Sequence, residues 1–521
     1  MVMLAFDGTT VPDDLRTRLA AHPVAGVTLF RYRNDAPAPV LRALTDELQA
    51  AATATDGPLL IATDQECGQL IALAHGTTPF AGNMALGATR DAALAERVGL
   101  AMGRELRALG VNVDYAPVCD VATGALAPAN GIRAFSDDPR LVADLALSFI
   151  RGLHAAGVAA VPKHFPGAGD VMVDTHHGHA VIPHDMARLD SVELPPFRAA
   201  IDAGARMVMV GHFATPGISG TERTPASLSR AVVTDLLRTQ MGFGGVAISD
   251  AFDMGAIDQG PLLALEALAA VRAGLDLLLC VAPEGRQRVE RGLLRAAERE
   301  LIDPSDVAAS LGRIRALRRW LAAAEDVDLD VIGCAEHGRL AAELARRSIT
   351  LVRDDESLLP LRLADNAKVV VIQTEPHDAT PADTSSTVPP MLADAIRRRA
   401  PGAVGIVTPA RPGDADIAQA RQAVEGADIA IVGTFAASME PEQAELVRAV
   451  MATNVPTVTL ALRTPFDLAV YPESGVHLCT YGVLAPTMEA VADVLFGQRG
   501  VEGRLPAAIP GLYPTGHGIS R

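Results

Sequence analysis

The sequence predicts an α/β protein: an N-terminal (β/α)8 barrel of the TIM type over residues 1–325, a linker region at 326–347, and a C-terminal open α/β sandwich domain over 348–521. Three observations carry this reading. Eight short apolar runs recur in the first 280 residues, alternating with longer segments of helical periodicity. Several of these runs are followed at once by a titratable residue, as at the catalytic rim of such a barrel. The strand and helix alternation then resumes after Ser348.

Taken in order, the barrel strands are expected at Val2 to Phe6, Gly26 to Phe30, Leu59 to Thr63, Val111 to Tyr115, Gly157 to Val161, Met207 to Val210, Val246 to Ile248 and Leu275 to Leu279. Helices are expected at Pro39 to Ala54, Ala92 to Leu109, Pro139 to Ala156, Leu194 to Ala203, Ser229 to Met241 and Pro261 to Ala273. Asp64 follows the third strand, Lys163 and His164 the fifth, His212 the sixth and Asp250 the seventh. From Val281 to Glu343 the chain is helical, charged and Ala/Arg-rich, which reads as a connector. Six further strands are expected, from Ile349 to Val352 through His477 to Tyr481. No GxGxxG or GxxxxGK[ST] loop accompanies them, so no nucleotide cofactor is expected.

With 521 residues, 49% hydrophobic and 21% charged, the chain has apolar material for two domains. A net charge of -17 without a basic run argues against nucleic acid or an anionic membrane as partner. The five cysteines form no CxxC pair and read as reduced thiols, not as a zinc site or a disulfide framework. The apolar start, Val2 to Phe6, is too short for a signal peptide, and no stretch reaches membrane-spanning length, so a cytoplasmic location is expected. Oligomeric state is not legible.

The chemistry concentrates in Lys163-His164-Phe165-Pro166-Gly167-Ala168-Gly169-Asp170 and the following Asp174-Thr175-His176. Asp174 and His176 are two residues apart, so an extended backbone would turn both side chains to one side, and an Asp beside a His makes a poised proton donor. Asp250, after a buried strand, is a nucleophile or a ligand. Asp64, Arg133, Lys163 and His164 suit the several hydroxyls of a sugar. His212 reads first as a structural group and second as a substrate contact. His177, His179 and His184 read as a hydrogen-bonding turn, with no metal expected. Asp120, Asp137 and Asp138 read as loop and capping residues.

KHFPGAGDVMVDTH resembles the KHFPGHGxxxxDSH signature of β-N-acetylglucosaminidases in glycoside hydrolase family 3. TDQECG, VNVDYAPVCDV, NGIRAFSDDP and GFGGVAISDAFDM are similar to further motifs of that family, and ARRSITLVRDDESLLPL and ALRTPFDL to segments of its second domain. The resemblance implies a retaining exo-glycosidase that removes terminal β-linked N-acetylglucosamine through a covalent glycosyl-Asp intermediate. Asp250 would be the nucleophile, His176 the acid/base and Asp174 its partner. Asp64, Arg133, Lys163, His164, His212 and Met254 would bind the sugar, in a cell-wall recycling role. Cys67 stands in place of a glycine, Ala168 of a histidine and Ala72 of an arginine. Three alternatives stay open: phosphorolysis, a β-glucosidase or β-xylosidase using Glu440 or Glu442 as acid, and a catalytically impaired sugar-binding protein.

Overall fold

The structure, a computed structural model, describes residues 2–22, 24–124, 131–171, 173–257, 260–364 and 366–521. Asn130 and Met172, which belong to two of the motifs above, lie outside the described residues.

Among the described residues, eight parallel strands form the first sheet: Val2–Leu4, Gly26–Leu29, Leu60–Thr63, Val113–Asp114, Ala159–Ala160, Met207–Val210, Val246–Ala251 and Leu277–Cys280. Each coincides with an expected apolar run. The side chains of one face, including Met3, Leu60, Val113, Met207, Val246 and Leu277, fill the barrel interior, and the other face packs against the helices. The fifth and sixth strands form no regular ladder. Closure there comes from the segment beyond the fifth strand: the Phe165 amide donates to the Met209 carbonyl at 2.8 Å, Met209 to Pro162 at 3.1 Å and Gly211 to Phe165 at 3.0 Å. The seventh strand runs past its expected end at Ile248, because Ala251 again finds Leu279 after a register irregularity. Asp250 therefore lies in the last residues of a strand.

The barrel helices Ala38–Ala51, Ala92–Ala108, Pro139–Ala155, Pro195–Asp202, Ala231–Gln240 and Leu263–Ala273 fall within two or three residues of expectation. Between Val281 and Glu343 the expectation of a connector is corrected. Pro283–Glu298 packs beside Leu263–Ala273 as a barrel helix. Helix Pro304–Ala322 puts Ile314, Leu317 and Leu321 among the interior side chains. Its arginines hold it in place: Arg318 donates to the carbonyls of Val24 and Ala25 at 2.8 and 3.0 Å, and Arg313 to Asp276 at 2.7 Å. The narrow apolar stripe was masked by the surrounding Arg and Ala.

After helix Ala335–Ser348, six strands make the second sheet: Thr350–Asp354, Val369–Thr374, Val404–Thr408, Ile429–Thr434, Thr457–Ala461 and Val476–Cys479. All pair in parallel except Thr350–Asp354, which runs antiparallel to Val476–Cys479. The domains are joined by hydrogen bonds as well as by the chain. Asp137, expected as a capping residue, accepts from the Ala508 amide and the Thr515 hydroxyl at 2.8 and 2.7 Å, whereas Asp138 does cap Pro139–Ala155.

Truncating Leu317, which is 3% exposed inside the barrel, leaves a cavity at the end remote from the site. Leu317→Ala is expected to lower stability by about 2–5 kcal/mol with KM unchanged, read from urea unfolding and steady-state kinetics. Wild-type stability in that variant would refute the plugging role.

Candidate active site

The cavity at the C-terminal ends of the barrel strands has a volume of about 1170 Å³ and is lined by side chains from both domains. One wall is built on an ionic cluster. Glu66, 1% exposed, accepts from Arg133 Nε and Nη2 at 2.7 and 2.8 Å and from Lys163 Nζ at 2.5 Å. Lys163 also donates to Asp64 Oδ1 at 2.6 Å. Burial alone would push the Glu66 carboxyl up, but the charges of Arg133 and Lys163 and their hydrogen bonds outweigh it and hold the pKa at about 2. The same balance keeps Lys163 above its ordinary range despite burial. Asp64, Arg133 and Lys163 thus form one unit whose polar edge faces the cavity.

His164 is fixed by Asp120, which was expected to be a loop residue and is instead an orienting group. Asp120 is fully buried and accepts from His164 Nδ1 at 2.8 Å, the His164 amide at 3.1 Å and the Ala168 amide at 2.8 Å. This leaves His164 Nε2 on the cavity side, 3.5 Å from Arg133 Nη2.

Asp250 lines the cavity, with Oδ1 accepting from the Ala251 amide at 2.8 Å. Burial pushes its carboxyl up, but the charges of His164, His212 and His176 and the Ala251 amide outweigh this, leaving it below the ordinary carboxylate range. His212 is fully buried beneath it, with Nδ1 2.7 Å from Ser227 Oγ and its ring edge-on to Phe252. Burial lowers the His212 pKa, and the charge of Asp250 works against this. His212 borders the cavity, as does Met254.

Asp174 and His176 meet, though not through the extended backbone expected for them. The segment is a turn: the His177 and Gly178 amides donate to the Asp174 carbonyl at 3.0 and 3.2 Å. Asp174 Oδ1 accepts from both the His176 amide at 2.9 Å and its Nδ1 at 2.6 Å, since a short Asp side chain reaches the backbone two residues on. His176 Nε2 is left for the cavity. Burial raises the Asp174 pKa, and the hydrogen bonds from His176 overturn this and lower it. Two ties position the turn. The Gly255 and Ala256 amides donate to the carbonyls of His176 and Thr175 at 3.0 and 3.1 Å, and Ala180–Val181 pairs with Phe213–Ala214. The turn is thereby anchored to the exits of both the sixth and seventh strands. Of the remaining histidines, His179 lies 2.5 Å from the Glu222 carbonyl and His184 2.6 Å from Asp170.

Residues 378–384 and Thr387 of the second domain complete the wall. Thr384 holds this segment to the barrel: its amide donates to the Gln69 carbonyl at 2.7 Å and its hydroxyl accepts from the Ile71 amide at 3.2 Å. Glu440 and Glu442 are not among the lining residues; Glu440 is ion-paired with Arg411 in a separate recess. Among the described residues no group of three or more His, Cys, Asp or Glu has metal-ligand geometry, and no helix is long and apolar enough to cross a membrane.

Residues 2–317 match the glycosyl hydrolase family 3 N-terminal domain, and residues 349–513 match the C-terminal domain of that family. The chain belongs to glycosyl hydrolase family 3. It is 30% identical to β-hexosaminidase A of Pseudoalteromonas piscicida, over 96% of this chain and 92% of that protein. A β-hexosaminidase of Xanthomonas oryzae pv. oryzae is 38% identical over 54% of this chain and 84% of its own length. The solved β-N-acetylglucosaminidase of Paenibacillus sp. str. FPU-7, a member of the same glycoside hydrolase family, superposes with a TM-score of 0.91 at 34% identity, covering 98% of this chain and 97% of its own.

In this family 3 glycoside hydrolase, two of the three sequence departures open onto the cavity: Ala72 and Ala168 are lining residues. Cys67 is elsewhere, with φ of 69° and its sulfur 3.3 Å from that of Met102. A left-handed backbone is what a glycine adopts without steric cost, and this accounts for the usual residue there. Sequence reasoning missed Glu66, although it stands two positions from Asp64, because both of its cationic partners are far away along the chain.

Glu66→Ala leaves two buried cations without their shared partner and is expected to cost about 3–5 kcal/mol. Wild-type stability carries the Glu66 contribution above pH 4.5, its ordinary value, and loses it as pH falls toward about 2. Glu66→Gln should flatten the pH dependence in that window, measured by urea titration at stepped pH; an unchanged profile would exclude the pairing.

Proposed function

We propose that the protein is a retaining exo-β-N-acetylglucosaminidase in which Asp250 is the nucleophile and His176, partnered by Asp174, is the acid/base. One observation carries the reading: a carboxyl held below its ordinary range and a carboxylate-oriented imidazole line one cavity together with an ionic, hydroxyl-matching cluster. The β-hexosaminidase and β-N-acetylglucosaminidase relatives supply the sugar class.

In the first step Asp250 attacks the anomeric carbon as the glycosidic C–O bond breaks, and protonated His176 gives its Nε2 proton to the departing oxygen. Asp174 keeps the Nδ1 proton in place and stabilises the cation. In the second step neutral His176 takes a proton from water, whose oxygen displaces Asp250. Both attacks on the anomeric carbon invert, so configuration is retained. The low pKa of Asp250 suits it to attack and to leave. Asp64, Arg133, Lys163 and His164 pair with the hydroxyls, whose burial would otherwise cost about 1–3 kcal/mol each.

Asp250→Ala is expected to abolish turnover with the fold intact, a fluoro-glycosyl reagent should label Asp250 in the wild type, and the first product seen by NMR should be the β-anomer. Label at another residue, or α-anomer first, refutes the assignment.

His176→Ala should lower kcat/KM by about 10²–10⁴-fold for poor leaving groups and much less for activated aryl groups. Asp174→Asn should show a weaker version of the same pattern. Equal losses across leaving groups of widely different pKa would remove His176 from the acid role.

A further inference from the structure

The second domain contains a recess of about 490 Å³ that the mechanism above does not use. Its position follows from topology. Strand Val369–Thr374 has Val404–Thr408 on one side and Ile429–Thr434 on the other, so the chain leaves it in one direction and returns across it. The loops leaving the carboxyl ends of Val369–Thr374 and Ile429–Thr434 therefore part, and open α/β sheets bind ligands in the crevice so formed. Here the crevice is bordered by His377 and Asp378 from the first loop, Pro409 to Arg411 from the second, and Ala436, Met439 and Glu440 from the third.

This recess adjoins the catalytic cavity. Asp378 and Ala379 border both spaces, at the start of the segment that Thr384 ties to the barrel. One guanidinium there faces two carboxylates. Arg411 is paired with Glu440, and Asp378 accepts from the amide and hydroxyl of Ser386 at 2.8 and 2.6 Å. A site with no surplus cation is poorly suited to a phosphate or a carboxylate ligand. A guanidinium–carboxylate pair does offer adjacent donors and acceptors to vicinal hydroxyls, and Pro409, Ala410 and Met439 supply apolar surface for a sugar ring face.

We propose that the recess is a remote leaving-group subsite, which holds a neutral sugar unit of an oligosaccharide beyond the one next to the scissile bond. The proposal rests on the glycosidase reading above. The enzyme would then read the length of the chain it trims from the end, through contacts made entirely by its second domain.

The test compares N-acetylglucosamine oligomers of two to five units with an aryl N-acetylglucosaminide in the wild type, Arg411→Ala and Ala410→Trp. The first variant removes the donor and the second fills the recess. Wild-type kcat/KM should rise with length, and each variant should lower it for the pentamer by about tenfold, the size of one or two hydrogen bonds, with the aryl substrate and dimer unchanged. Calorimetry of pentamer binding to Asp250→Asn and its recess double variants reads the same contact without turnover. Flat length dependence, or equal losses on aryl and pentamer substrates, overturns the subsite. A wild type that cleaves no aryl N-acetylglucosaminide overturns the glycosidase reading instead, and pentamer binding still decides the recess.

Discussion

Barrel closure is the constraint on which the rest of this structure depends. The fifth and sixth strands form no ladder, and Pro162 to Phe165 bridge them with backbone bonds to Met209 and Gly211. The residues that close the sheet are thus the ones that carry Lys163 and His164. The backbone that carries these side chains is therefore fixed by the same bonds that close the barrel. The cis peptide between Lys163 and His164 belongs to this same segment.

Around that segment the polar groups are held by carboxylate partners, two of them remote in sequence and one two residues away. Glu66 holds Arg133 and Lys163, Asp120 holds His164, and Asp174 holds His176. Such pairing adds little net stability once desolvation is counted, but removing one partner strands the other in a place without water. The arrangement therefore acts mainly through geometry: the guanidinium, ammonium and imidazole groups are fixed in place by their partners.

What was legible in the sequence follows the range of the interactions. Strand ends could be read because apolar runs are local, and Asp64, Lys163, His212 and Asp250 fall just where the runs stop. The Asp174 and His176 contact was legible from proximity, although its turn geometry was not, because the Asp side chain competes for the backbone amide. Glu66 and Asp120 were illegible as orienting groups since their partners lie 44 to 97 residues away in sequence, a separation seen in Asp120 to His164 and Glu66 to Lys163. The helix Pro304–Ala322 reads as a connector in sequence because only three apolar residues on one stripe, Ile314, Leu317 and Leu321, join the interior cluster.

The second domain is the hardest part to infer, and the reason is physical. Residues 378–387 lack any charged motif of catalytic type, and they become a cavity wall only because Thr384 bonds to Gln69 and Ile71 and because buried Arg463 lies 3.6 Å from Asp383. Gly131 leaves the room for this: a Cβ there would come within 2.3 Å of Arg463 Nη2. A barrel alone would present an open mouth in which a substrate is bound on one side and wet on the other. The segment from a separate sheet lines the same cavity as Asp250 and His176 and so narrows that opening. The two-domain architecture is therefore part of the site's shape, built by contacts that neither sheet could make alone.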